Sequence, residues 1–97
     1  METLAKFKDS LKSAHPPASL LVQLKSLWYD GKNDWHQAHA VVDHLSDKDS
    51  AWVHAYLHRK EGDIWNADYW YNKARQKRPD ISLDEEWEQL VLHFIHA

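Results

Sequence analysis

Residues 51–74 read AWVHAYLHRKEGDIWNADYWYNKA, and this stretch decides the fold. Its small and apolar side chains recur three and four positions apart: Ala51 and Ala55, then Ala67, Tyr71 and Ala74. That spacing is helical, and no segment of the chain alternates with period two for long enough to form a half-buried strand. Gly62 stands between the two periodic segments, where a helix ends in a left-handed residue, and Asp63 follows as an N-cap. The stretch therefore predicts a helix over 50–61, a tight turn, and a helix from Asp63 to about Arg78, before Pro79.

Working outward, the same periodicity covers the rest of the chain. Leu4, Phe7, Leu11 and Ala14 mark a first helix closed by Pro16 and Pro17. Leu20, Leu24, Leu27 and Trp28 mark a second, ending near Gly31. Asp34 caps a third, whose apolar face is Ala38, Val41, Val42 and Leu45. Ser82 and Glu85 form a capping box for the last helix, with Leu83, Trp87, Leu90, Val91 and Phe94 on one side. The expectation is one all-α domain over 1–97: two tandem helix-turn-helix hairpins flanked by an N-terminal and a C-terminal helix.

Composition narrows the function classes. Ninety-seven residues support one modest core, which six Trp, four Tyr and two Phe enlarge. With no Cys there is no disulfide framework, thiolate metal site or cysteine nucleophile. The start, METLAKFKDS, has no apolar run of the kind a signal peptide carries, and LLVQL is far too short to span a bilayer. A cytoplasmic protein without a membrane partner is expected. The formal charge of −3 weighs against nucleic acid, although protonating all eight His would bring it to +5.

The two hairpins resemble each other. DWHQAHAVV (34–42) aligns with DIWNADYWY (63–71) at an offset of 29 residues, a pattern of stacked helical repeats. Ala67, Tyr71, Ala74 and Pro79 are spaced as in the second helix of a tetratricopeptide repeat, and Gly62 sits where that family has its inter-helix glycine. Ala55 fits the small position of the first helix, whereas His58 stands where an aromatic is usual and Ala51 where a tryptophan is usual. In the earlier unit Ser26, Tyr29 and Ala38 match, but Val42 and Leu45 replace the aromatic and small residues. The offset is also shorter than the usual repeat of about 34 residues. Residues 20–79 thus resemble a degenerate pair of tetratricopeptide-like repeats. The wording HAYLHRKEGD…NADYWY is also similar to a family of small bacterial proteins with no assigned activity.

Helix 50–61 offers two faces. Trp52, Tyr56 and Arg59 share one, with Lys60 beside them. The resemblance implies that this face lines the concave surface with which such repeats hold a protein or peptide. Flat aromatics and an Arg fork suit the capture of a carboxylate. The competing reading is that a terminal helix covers them as core. Ala51, His54, Ala55, His58 and Glu61 share the other face. His54 and His58, one turn apart, have the spacing of two ligands to one metal, with Glu61 a further turn along. That is the alternative reading: a small metal-binding protein or enzyme. The pair lacks the glutamate after its first His that serves metalloproteases as base. Its structural counterpart is two interfacial imidazoles hydrogen-bonded to neighbours such as Asn66 or Tyr71.

His36, His39, Asp43 and His44 fall mostly opposite the apolar face of their helix and are expected to be solvated, and His93 and His96 to be tail residues. The run YWYNKARQKR interleaves aromatic and basic residues as single-strand nucleic-acid binders do, but Trp70 and Tyr71 fall toward the packed face. No phosphate loop or serine elbow is found, and no cofactor is expected. A protein or peptide partner is the leading expectation, with a second copy of the chain as a further candidate.

Overall fold

Five of the six helices among the described residues begin where a side chain can satisfy a first free amide, and the one that follows Leu21 begins without one. In the computed structural model, which describes residues 3–97, Thr3, Asp34, Asp47, Asp63 and Ser82 each accept a backbone N–H three residues ahead. Residues 1 and 2 of the expected domain lie outside the described residues. The described residues form six helices and no strand, the all-α class expected. They are α1 (Leu4–Ser10), α2 (Val22–Gly31), α3 (Trp35–Val42), α4 (Lys48–Glu61), α5 (Ile64–Ala74) and α6 (Leu83–Ile95). The reciprocal capping box of Ser82 and Glu85 is formed at the start of α6.

Gly62 ends α4 with φ of 90°, and the N–H groups of Gly62 and Asp63 return to the carbonyls of Arg59 and His58. α5 ends earlier than its periodicity suggests. Arg75 takes the left-handed conformation at φ 58° and the Gln76 N–H closes onto the Tyr71 carbonyl, so the helix stops at Ala74 rather than near Arg78. Past it, the residue before Pro79 is kept out of the helical region by the proline ring. α1 also stops short, at Ser10, and α4 begins two residues ahead of the expected start because Asp47 caps it.

α2 folds back on α3, and α4 on α5. α4 is the central element: it packs against α3, α2 and α6 as well as α5. Ala55 and Ala67 are fully buried and let α4 and α5 approach closely, with Tyr71 filling the space beside them. The main core joins the other helices through Phe7, Leu27, Trp28, Val42, Val53, Leu57, Leu90 and Phe94. Each fully buried aliphatic or Phe side chain contributes about 1.5–3 kcal/mol relative to exposure. α6 is fastened over α2 by the Trp87 indole N–H, which donates to the Leu27 carbonyl at 2.9 Å. Gly31 makes room for this: a Cβ there would meet Leu11 at 3.0 Å and Trp87 at 3.1 Å.

Candidate functional site

Three places gather chemistry-bearing side chains. The first is the face of α4 expected to be a concave binding surface. α6 lies over it. Tyr56 is 2% exposed, and its hydroxyl donates to Asp30 at 2.6 Å, while Lys60 reaches the same carboxylate at 2.8 Å. Arg59 is spent likewise: it donates to Glu86 at 2.8 Å and to the Ile81 carbonyl. Glu86, itself buried, also accepts the Tyr71 hydroxyl at 2.5 Å. Burial, reinforced by the adjacent carboxylates, pushes both phenols above their ordinary range, so each stays a neutral donor. Trp52 packs edge-on against His93 and Phe94 of α6, so His93, although exposed, belongs to the last helix and its contacts rather than to a free tail. Tyr56 and Lys60 do reach the edge of a cleft of about 410 Å³, with Lys8, Asp30 and Glu88 among its other walls. Its lysines are already paired, Lys60 with Asp30 and Lys8 with Glu88.

The second place is a cluster of three imidazoles between the hairpins. His54 and His58, one turn apart on α4, stack at 4.8 Å with an interplanar angle of 27°. His39 of α3 meets both edge-on, at 4.7 and 5.2 Å between ring centroids. One nitrogen of each lies within 4.8 Å of the others. The closest approach is His39 Nε2 to His54 Nε2, at 3.0 Å. The expectation that His39 is solvated is corrected: the nesting of α3 on α4 turns its ring inward. His36 and His44 remain exposed. The expected partners are corrected as well. The hydroxyl of Tyr71 goes to Glu86 and the amide of Asn66 to Asp63, leaving the imidazoles to each other and to Glu61. Glu61 sits behind His58, 2.7 Å from Nδ1, rather than beside His54 as a third ligand.

Two tryptophans hold the rings. Trp35 stacks on His39 at 4.9 Å, anchored by its indole N–H on the Leu57 carbonyl, and Trp70 stacks on His54 at 4.0 Å. Burial, together with the neighbouring His39 and His58, drives the pKa of His54 down to about 4. Burial and His58 also lower His39, against a partial counter-pull from Asp43. Both shifts favour the neutral ring. A single proton lies along the Nε2–Nε2 contact, since only one of two neutral rings can donate there. In either tautomer His54 Nδ1 is left buried and without a partner.

The third place is the outer side of α5. Trp65 is 80% exposed and stacks on Tyr69, itself 46% exposed, at 6.4 Å and 16°. One turn further, Lys73 places its ammonium over the rings of Tyr69 and Trp70, at 5.5 and 5.3 Å. Arg75 and Lys77 extend the basic end of the helix into solvent. Arg78 is paired with Asp68 at 2.8 Å. Residues 65, 69 and 73 share one helical stripe, a pattern the sequence displays, but only packing shows which stripe is left bare.

Comparison with protein-family models, with curated proteins and with solved structures finds no match to this chain. No helix among the described residues is long and apolar enough to cross a membrane.

Proposed function

We infer that this chain is a cytoplasmic interaction module that docks an acidic, apolar segment of a partner protein on the outer side of α5. The observation that carries the reading is Trp65, a large aromatic left 80% exposed and stacked on Tyr69. Exposed apolar groups at helical spacing mark contact surfaces, and Trp and Tyr supply much of the binding energy where partners meet. The cation beside the rings defines the partner's chemistry. Lys73, its ammonium over Tyr69 and Trp70, borders the aromatic ledge, so a segment presenting a carboxylate beside an apolar side chain is complementary to it. The class of activity is the one the resemblance to tetratricopeptide repeats implies, moved from the face beneath α6 to the face that remains accessible.

The test is affinity capture from the native cytoplasm with the immobilised chain, alongside Trp65→Ala and Lys73→Glu. A defined protein partner is expected that Trp65→Ala loses and Lys73→Glu weakens, with melting temperatures unchanged. Identical recoveries from all three would end the reading. Loss of single-stranded oligonucleotide binding in Trp65→Ala would move the face to nucleic acid. Concentration-dependent self-association abolished by Trp65→Ala would make the partner a second copy.

A further inference from the structure

We propose that His39, His54 and His58 form a binding site for one divalent late first-row transition-metal ion, with Glu61 as the positioning residue behind His58. This rests on a different part of the molecule from the α5 ledge and stands or falls separately from it.

The donor set is three imidazoles with no thiolate in the chain, which suits zinc, copper, nickel or cobalt rather than calcium or magnesium. The geometry is near what such an ion requires. Around a tetrahedral zinc with Zn–N bonds of about 2.0–2.1 Å, ligand nitrogens stand roughly 3.3 Å apart. His39 Nε2 and His54 Nε2 are already 3.0 Å apart, and one nitrogen of every ring lies within 4.8 Å of the others. Small ring rotations complete the site. His58 uses Nδ1 toward Glu61 at 2.7 Å, which leaves its Nε2 as the donor and fixes the ring as carboxylate partners fix metal-bound histidines. His39 has the same kind of support in looser form, with Asp43 3.8 Å from its Nδ1.

The cluster also fits poorly as mere packing. Three imidazoles from two helices converge where a hydrophobic seam would suffice, and His39 and His54 turn their Nε2 atoms toward each other rather than toward solvent or a carboxylate. Moving the one proton of the Nε2–Nε2 contact onto the Nδ1 of its own ring presents three Nε2 lone pairs to one point, with no net gain or loss of protons. The ion then ties α3 to α4, and so one helical hairpin to the other.

The experiment titrates the full chain, stripped with chelator, with Zn²⁺, Ni²⁺ and Co²⁺ by calorimetry, and follows the Co²⁺ visible spectrum. One equivalent is expected to bind, with the intense absorption of a low-symmetry, low-coordination cobalt site, and saturating Zn²⁺ should raise the melting temperature. Glu61→Gln should weaken binding about 10–100-fold. His39→Ala should weaken it further, and because His39 is only half-buried this variant is expected to stay folded by circular dichroism. Should it unfold, His58→Gln replaces it. The His36→Ala/His44→Ala double variant should bind as the wild type does. Absence of stoichiometric binding overturns the proposal. So does binding that survives His39→Ala, or that falls equally in the double variant, since the metal would then belong to scattered surface histidines.

Discussion

Arg59 of α4 and Glu86 of α6 form an ion pair at 2.8 Å in which the carboxylate is 3% exposed. Because Glu86 also accepts the Tyr71 hydroxyl, this one carboxylate joins α4, α5 and α6. Arg59→Glu sets two carboxylates against each other in a buried seam and should cost about 3–5 kcal/mol, the usual penalty for an uncompensated buried charge. Glu86→Gln keeps the shape and removes the charge, so it should cost less, about 1–3 kcal/mol. Urea denaturation of both variants checks the order. A cost below about 1 kcal/mol for Arg59→Glu would place that guanidinium in solvent.

Two residues end helices in the left-handed region, and they should respond in opposite directions. Gly62 has φ of 90° with nothing within 4 Å of a Cβ, so Gly62→Val meets backbone strain alone, worth about 1–2 kcal/mol. Arg75 adopts φ 58° with a side chain in place. Arg75→Gly should stabilise the protein by up to about 1 kcal/mol. If both substitutions destabilise equally, the α5 terminus is not strained as described.

Acid should weaken the fold through His54. Its folded pKa is about 4, against 6.5 for the free side chain, so between those values the unfolded chain holds a proton that the folded chain refuses. Stability is fully present above about pH 6.5 and is lost as pH falls toward 4, by up to about 3 kcal/mol. His39, lowered for the same reason, acts in the same direction. Urea midpoints at pH 7.5, 5.5 and 4.5 should fall in that order, and His54→Phe should flatten most of the slope above pH 5. An unchanged slope in His54→Phe would assign the effect to other groups.

Two tryptophans separate core from surface. Trp28 is 1% exposed and Trp65 is 80% exposed. Trp28→Ala should cost about 3–5 kcal/mol through the cavity it leaves, whereas Trp65→Ala should stay within about 0.5 kcal/mol. Thermal melts of the pair test this. A large loss for Trp65→Ala would mean that its ring is buried.

What the sequence determined by itself is local. Asp34, Asp63 and the Ser82–Glu85 box mark helix starts because each bond closes within three residues, and Gly62 marks an end because only its own φ is at stake. The faces of α4 were legible too, since helical period alone sets Tyr56 with Arg59 and His54 with His58. Tertiary structure decided what each face meets. Arg75 stops α5 by a backbone conformation that no side-chain pattern announces in a non-glycine residue. His39 lies opposite the apolar stripe of α3, yet α4 nests against that side as well and draws the ring to His54. α6 crosses back and pairs Glu86 with Arg59 from 27 positions away, α2 brings Asp30 to the Tyr56 hydroxyl from 26 positions away, and together they take the groove those side chains were expected to line. The reason is one of range: caps and period are fixed by bonds between near neighbours, whereas exposure depends on which surfaces of separate helices bury the most apolar area together.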